Sequence, residues 1–471
     1  MNFWKLEHPQ QQLAVIDAQT GQEWSYGQLR EDVEQVASFA PRAKSLRILL
    51  AQNRYHCIVA YLAALNSGDA LLLIDATLNR ELLTSLIDVY RPHSIYAAPE
   101  ELSFSGYRKR SIDKFGIYER ERSGDDPQIH DSLALLLNTS GSTGSPKLVR
   151  LSFDNLEANA SSIRSYLELS PKERPITSLP MAYSYGLSVI NSHLQAGATI
   201  VLTDHGVVRR EFWDSIDKYE CTSFSGVPYT YQMLLQMGLL KKRGATLRTL
   251  TQAGGRLAEP YVEQMHALAR ERGFRFFVMY GQTEATARIS YVPFGQLGSK
   301  IGSVGVAVPG GQITLDGETG ELIYAGPNVM MGYAECREDL ANGDELQGVL
   351  RTGDLARQDA DGFFYITGRL KRFLKLFGKR FNLDEVEQIV QHRFQVPVAC
   401  FGQDDLLIVA AEADSEKVTD MTAMLRETFG LPSNVVKVKT METLPRTGNG
   451  KIDYMVLASE CEQPITQVSR G

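Results

Sequence analysis

The 471-residue chain is predicted to fold as an α/β protein with a large N-terminal region, a β-rich stretch and a small α+β region at its C-terminal end. Three observations predict this. From residue 47 to residue 279, short apolar runs alternate with stretches of helical period, the rhythm of a largely parallel, buried sheet with helices on it. Past Pro293 the texture becomes glycine-rich and strand-like. At Gly368 the composition shifts again, and short helices and strands alternate to the end. A chain this long exceeds one ordinary core and is expected to hold two or more folding units.

In order, WSYGQLREDVEQVASFA sets Leu29, Val33, Val36 and Phe39 at helical spacing, with Arg30, Glu31 and Asp32 outward. Arg47 to Ala51 and Ala70 to Ala76 read as strands around a helix from Tyr55 to Ser67, and Ser94 to Ala98 continues the rhythm. Residues 107–128 are polar, without a period, and read as a connector. Leu133 to Leu137 enters a glycine-rich segment, after which Leu148, Val149 and Leu151 resume a strand. Ser152 suits the N-cap of a helix whose apolar face holds Leu156, Ala160, Ile163 and Leu167. Strands are then expected at Ile176 to Pro180, Thr199 to Thr203, Thr222 to Ser225, Thr249 to Gln252 and Phe274 to Met279. Helices are expected at Leu187 to Gln195, Arg209 to Tyr219, Tyr229 to Gly238 and Pro260 to Arg272. QITL, GELIYAG and FFYITG read as strands of the β-rich stretch. Beyond Gly368, six basic residues, Arg369, Lys371, Arg372, Lys375, Lys379 and Arg380, interleave with Phe373, Leu374, Leu376 and Phe377. This is either a basic, aromatic nucleic-acid patch or a strand with a cationic linker before a helix from Leu383 to Arg393.

The acidic whole favours the linker. With 56 acidic against 49 basic side chains and a net charge of -7, nothing global recruits nucleic acid or an anionic membrane. No run approaches the roughly 20 apolar residues of a spanning helix. The opening MNFWKLEHPQQQ lacks a secretory layout, so a cytoplasmic location is expected. The five cysteines are far apart, without a CxxC pair, and indicate neither a disulfide framework nor a zinc site.

Five local signals carry chemistry. In LALLLNTSGSTGSPKLVR, Gly141 and Gly144 let backbone N–H groups converge, Thr139, Ser140, Ser142 and Thr143 add hydroxyls, and Lys147 adds a positive charge. Together these suit a polyphosphate, although a flexible hairpin reads the same way on spacing alone. The P-loop pattern fails, because Lys147 sits between Pro146 and Leu148. Tyr280-Gly281-Gln282-Thr283-Glu284 follows a strand, the usual ligand position in α/β sheets. Beside phosphates the Glu284 carboxylate is repulsive unless a cation intervenes, so it is a natural Mg²⁺ ligand in an ATP site. Thr352-Gly353-Asp354 presents a carboxylate that could accept from paired ribose hydroxyls or simply form a turn. The Gly368-Arg369 linker is the fourth signal, and the glycine loop Pro445 to Lys451 the fifth.

In this order and spacing these segments resemble the adenylate-forming superfamily of acyl-CoA synthetases, peptide-synthetase adenylation domains and luciferases. TSGSTGSPK resembles its phosphate loop, YGQTE its adenylate-contact turn, GELIYAGPNVMMGY its β-rich motif, and LPRTGNGKID the segment with the catalytic lysine. RTGDLARQDADGFFYITGRLKRFLKLFGKRFNLDEVE resembles the ribose-binding, hinge and first C-domain motifs. The resemblance implies stacked α/β sheets plus a β-rich subdomain in residues 1–368, and a mobile α+β domain in 369–471, hinged at Lys371. It implies that ATP and a carboxylic acid give an acyl-adenylate and pyrophosphate, and that a thiol then displaces AMP. The thiol is coenzyme A, or alternatively carrier-protein phosphopantetheine. By the same resemblance Lys147 and residues 139–143 screen pyrophosphate, Thr283 meets the α-phosphate, Glu284 holds Mg²⁺ and Lys451 bridges carboxylate and α-phosphate. Asp354 and Arg369 anchor the ribose, with Tyr280 and Ala253-Gly254-Gly255 flanking the adenine. Once Lys451 withdraws, rotation about Lys371 brings the loop at Gly378 to the acyl site.

The chain departs from the family's pattern at LPMAYSYG. Tyr183 replaces a histidine common in acyl-CoA synthetases, and Ser184 stands where peptide synthetases place an aspartate for the substrate's ammonium. An α-amino acid is therefore disfavoured, and an uncharged aliphatic or aromatic acid is expected in a pocket of Tyr183, Tyr185, Ser225, Gly226 and Gly255. Arg256 could meet a polar group of the substrate or lie in solvent. The reading from another class is a non-catalytic adenylate-binding module with the same fold.

Overall fold

Strands buried on both faces read as continuous apolar runs because each successive side chain must find cover. In the computed structural model, which describes residues 2–41, 43–98, 102–112, 115–121, 127–138, 147–370, 372–376, 379–403, 406–429, 431–432, 434–448 and 450–462, this cover comes from helices on either side. The chain packs as two units, Met1–Ile313 with Tyr324–Leu350, and Thr314–Ile323 with Arg351–Gly471.

The first unit is organised by an eight-stranded sheet. Its centre, Leu133–Asn138, Ala70–Asp75, Leu46–Ala51 and Ser94–Ala97, is parallel. Alternation sorts the two faces. Leu49, Leu71 and Leu135 pack with the helix Tyr55–Asn66, whereas Ile48, Leu72 and Leu136 pack with Arg80–Tyr90. The edges are antiparallel: Leu148–Ser152 and Gly332–Ala334 on one side, Phe115–Arg120 and Tyr107–Ile112 on the other. Residues 107–120 are thus an edge hairpin and not a connector. Its exposed Arg108, Lys109 and Arg110 hid the strand period, while Ile117 and Tyr118 are buried.

A second sheet runs Ser223–Gly226, Thr249–Gln252 and Arg275–Tyr280 in parallel, then Ser290–Tyr291 and Val306–Ala307 antiparallel. Helices Pro228–Met237 and Glu259–Arg272 connect its parallel strands. Ser152 caps the helix Phe153–Tyr166 through a reciprocal bond with Asn155. The run expected as a strand at Ile176 to Pro180 makes only single bridges, Pro175 to Ser223 and Ile176 to Val201. Two prolines limit its ladder, since proline offers no N–H. Ile200–Leu202 pairs with Leu13–Asp17, a strand that sequence reasoning passed over.

A four-stranded sheet comes next, Gln312–Leu315, Glu321–Ala325, Val349–Gln358 and Phe364–Arg369. A two-stranded ribbon follows, Phe373–Leu376 with Lys379–Asn382, then the sheet Val398–Gln403, Leu406–Ala411 and Val436–Thr440. Helices Leu383–Phe394 and Ser415–Phe429 bury Val386, Val390, Met421 and Leu425 against it. The boundary expected at 368/369 lies at the end of the hairpin Val349–Gln358 and Phe364–Arg369, whose packing groups it with the C-terminal residues.

Candidate active site

The strand Arg275–Tyr280 ends where the chain turns through Thr283–Ala285. Gly281 is required there, since a Cβ would lie 1.9 Å from the Ala287 carbonyl oxygen. Thr286 and Ala287 take φ of 58° and 140°, a left-handed backbone that costs non-glycine residues roughly 1–3 kcal/mol each. Asn328 holds them. Its side-chain amide donates to the carbonyls of Ala285 and Arg288, both at 2.7 Å, and its Oδ1 accepts from the Tyr324 hydroxyl at 2.6 Å. The Thr286 hydroxyl donates to the Asn328 carbonyl at 2.7 Å. Side chains after Tyr280 are thereby fixed before any ligand arrives.

Glu284 and Lys147 meet on one ring. The Tyr333 hydroxyl donates to Glu284 Oε1 at 3.0 Å, and Lys147 Nζ lies 3.9 Å from the centroid of the same tyrosine. Burial, reinforced by the Glu284 charge, holds that hydroxyl well above its ordinary range, so it remains a donor. Lys147 also lies 3.9 Å from Glu335 Oε1, an exposed ion pair of little energetic weight. Strand register explains the meeting, because Tyr333 pairs with Val149, two residues beyond Lys147. Thr139, Ser140, Gly141, Ser142, Thr143 and Gly144 lie outside the described residues.

Thr283 Oγ1 lies 3.2 Å from the hydroxyl of Ser184, the residue between Tyr183 and Tyr185 of the expected acid pocket. Ser184 begins the helix Ser184–Ala196, with Tyr183 as its N-cap. The Tyr183 hydroxyl lies against Gly254, where a Cβ would sit 2.6 Å away and φ is 82°. Burial lifts that hydroxyl to about 12. The buried Tyr185 donates to Thr251, whose hydroxyl is also 2.8 Å from Ser225 Oγ. Gly226 packs against Thr230 and Tyr231, and the Gly255 carbonyl accepts from Gln252 at 2.9 Å. Arg256 is exposed and paired with Glu259 at 3.2 Å, so it turns to solvent. Gln282 donates to the Tyr280 hydroxyl at 3.3 Å. Lys147, Glu284, Thr283, Ser184, Tyr183 and Gly254 therefore form one connected surface in the first unit.

The donor set fits magnesium in one particular way. Among the described residues no group of three or more His, Cys, Asp or Glu could hold a metal by itself. A single carboxylate, Glu284, suits an ion that takes its remaining ligands from phosphates and water.

In the second unit, Asp354 is buried and its Oδ1 accepts from Arg369 Nε at 3.0 Å. Gly353, with φ of 74°, makes the turn, its N–H donating to Glu321 Oε1 at 2.9 Å. Lys451 closes a tight loop in which Thr447 N–H donates to the Lys451 carbonyl at 2.8 Å. Lys371 and Gly378 lie outside the described residues. Arg372, grouped by sequence with a cationic linker, is instead a hub. It pairs with Asp384 and Glu387, donates to the Cys400 carbonyl at 2.8 Å, and lies over the Tyr454 ring at 4.4 Å. Sequence reasoning missed Tyr333, Asn328 and Arg288; Tyr333 closes a quoted motif, but no spacing marked it as the partner of Glu284.

Residues 3–334 match a family described as AMP-binding enzyme. Feruloyl-CoA synthase from Amycolatopsis sp is 29% identical over 352 residues, 70% of this chain and 70% of its own length. D-alanine--D-alanyl carrier protein ligase from Staphylococcus epidermidis is 25% identical over 484 aligned residues, 97% of this chain and 98% of its own. Among solved structures, o-succinylbenzoate CoA synthetase from Bacillus subtilis with its acyl-adenylate intermediate aligns with a TM-score of 0.75 at 22% identity. It covers 96% of each chain.

Proposed function

The chain belongs to the AMP-binding enzyme family, and from that premise we propose a two-step acid–thiol ligation at the surface around Glu284. ATP and a carboxylic acid give an acyl-adenylate and pyrophosphate; a thiol then takes the acyl group, AMP leaves, and the thiol proton goes to solvent. Carboxylate attack on the α-phosphorus brings two anions together, so the site must neutralise charge and hold the reactants in line. Lys147 and the hydroxyls of residues 139–143 take the leaving pyrophosphate. Thr283 meets the α-phosphate and Ser184 orients Thr283 through their 3.2 Å contact. Glu284 would hold magnesium, which would supply further positive charge to the phosphates. Asp354 accepts the ribose hydroxyls with Arg369 holding its carboxylate, Tyr280 and Ala253-Gly254-Gly255 flank the adenine, and Lys451 joins the acid's carboxylate to the α-phosphate.

The convergence of Lys147 and Glu284 on Tyr333 carries this reading. Residues 186 positions apart in sequence (333 minus 147) make a surface whose charges need a polyphosphate and a divalent cation between them. Coenzyme A is the proposed thiol. Carrier-protein phosphopantetheine is the second reading, favoured by the near full-length match to a carrier-protein ligase. A cytoplasmic setting belongs to the same proposal. Among the described residues no helix is long and apolar enough to cross a membrane.

Acid-dependent ATP–pyrophosphate exchange across a panel of carboxylic acids tests the first step. Coenzyme A and phosphopantetheinylated carrier proteins, supplied in turn, test the second. Absence of exchange with every acid would leave the non-catalytic adenylate-binding module standing.

A further inference from the structure

Among the described residues Arg288 is a buried cation without a carboxylate partner. Only 2% exposed, it extends from the loop locked by Asn328 into a narrow, partly enclosed pocket of about 20 Å³. Ser223, Ser225, Thr251 and His193 line the same pocket. Two other deeply buried arginines are compensated: Arg47 pairs with Asp69, and Arg150 with Glu345 at 2.7 Å. Among the described residues Arg288 makes no ion pair; it donates from Nη1 to the Ala287 carbonyl at 3.2 Å and bonds the Tyr166 hydroxyl, while Nε has no partner. Its guanidinium lies 4.0 Å over the Tyr185 ring. The phenols around it, Tyr166, Tyr183 and Tyr185, are all pushed up by burial and remain neutral. Two further polar atoms on the pocket wall, His193 Nε2 and Ser223 Oγ, also lack partners. A buried charge without a counter-charge is costly, and this one directly follows Thr286 and Ala287, both at positive φ.

Resting on the ligase reading above, we infer that the acid this enzyme activates carries a second anionic group, a carboxylate, which Arg288 receives in this pocket. Tyr185 and Ser225 belong to the expected acid pocket, and the hydroxyls of both lie 2.8 Å from that of Thr251 on the wall of this one. The second carboxylate supplies the missing counter-charge and takes the unused Arg288 donors, while the hydroxyls of Ser223 and Ser225 accompany it. The expectation of an uncharged acid, drawn from Ser184 alone, is thereby revised. Ser184 removes a partner for an ammonium and leaves a second carboxylate open.

The test is pyrophosphate exchange with matched pairs in which a terminal methyl becomes a carboxylate: butanoate with succinate, hexanoate with adipate, 4-methylbenzoate with terephthalate. The wild-type protein is expected to favour one dicarboxylate at least about 100-fold in kcat/KM, because a site with buried polar groups rejects an analogue that leaves them unpaired. Arg288→Met is expected to lose that acid about 100-fold or more while ATP affinity and monocarboxylate exchange change little; Arg288→Lys retains part of the preference. Preference of the wild type for the methyl-terminated acids overturns the inference. So does an equal loss on both members of a pair in Arg288→Met, which would place Arg288 at the reacting carboxylate. Exchange with no acid at all overturns the ligase reading, and the inference falls with it.

Discussion

Tyr333 illustrates how one hydroxyl can organise a charged site. It donates to Glu284 while Lys147 lies over its ring face, so the tyrosine sets the carboxylate's direction without adding charge. Tyr333→Phe keeps the ring and removes the donor. Groups that orient a metal ligand are typically worth 10- to 100-fold in affinity. The variant is therefore expected to need about 10-fold more Mg²⁺ for half-maximal exchange, with ATP-independent stability little changed; an unaltered magnesium titration would separate the hydroxyl from the metal. Gly281→Ala probes the backbone instead. A methyl 1.9 Å from the Ala287 oxygen must push the loop aside, and overpacking of this kind costs about 1–3 kcal/mol. Urea denaturation is expected to show that loss together with a fall in exchange, since Thr283 and Glu284 move with the loop. The YGQTE segment was legible as a candidate site, since its residue types state their chemistry. Arg288 was not legible, because an arginine two residues before a short strand looks the same whether or not a carboxylate awaits it.

The helix Ser184–Ala196 carries Ser184 at one end and His193 near the other. His193 Nδ1 lies 2.8 Å from the Val189 carbonyl, and burial lowers its pKa from 6.5 to about 4. The folded state thus holds it neutral where the unfolded chain protonates it. Its contribution is fully present above pH 6.5 and is lost as pH falls from 6.5 through about 4, worth at most about 3 kcal/mol. His193→Gln is expected to flatten that part of the stability–pH curve, measured by urea midpoints at pH 7, 5.5 and 4.5. Parallel curves for both proteins would assign the acid sensitivity to other groups. In the second unit, Arg372 ties the helix Leu383–Phe394 to Cys400 and Tyr454. Burial opposes its charge, but Glu387 and Asp384 outweigh that and raise its pKa further. Hydrogen bonds to charged groups are worth about 1.5–3 kcal/mol and this network is partly buried, so Arg372→Met is expected to speed hydrogen exchange in the second unit's residues. The helices themselves were legible from apolar spacing and capping residues such as Ser152. The edge hairpin at residues 107–120 was not, because one of its faces meets water and charge masks the two-residue period.

At the scale of the molecule, the ligase scheme divides its labour between residues of the two units. Lys451, on its own tight loop, is assigned to adenylation alone. Lys451→Ala is expected to reduce acyl-adenylate formation by about 10²- to 10³-fold, the usual worth of one group aimed at developing charge. Thioester formation from supplied acyl-adenylate should persist in the same variant. Equal loss in both half-reactions, followed by rapid quench, would rule out a division of roles. By itself the sequence determined the α/β class, the order of the motifs, the family they resemble and the residue types able to handle phosphate, metal and ribose. All of these depend on local period and on chemistry that each side chain carries wherever it sits. Only the tertiary structure decided that Tyr333 joins Lys147 to Glu284, that Arg372 is a hub, and that Arg288 lies buried with no carboxylate partner among the described residues. Compensation of charge is a property of neighbours brought together by strand register and packing across long separations, and no stretch of sequence contains it.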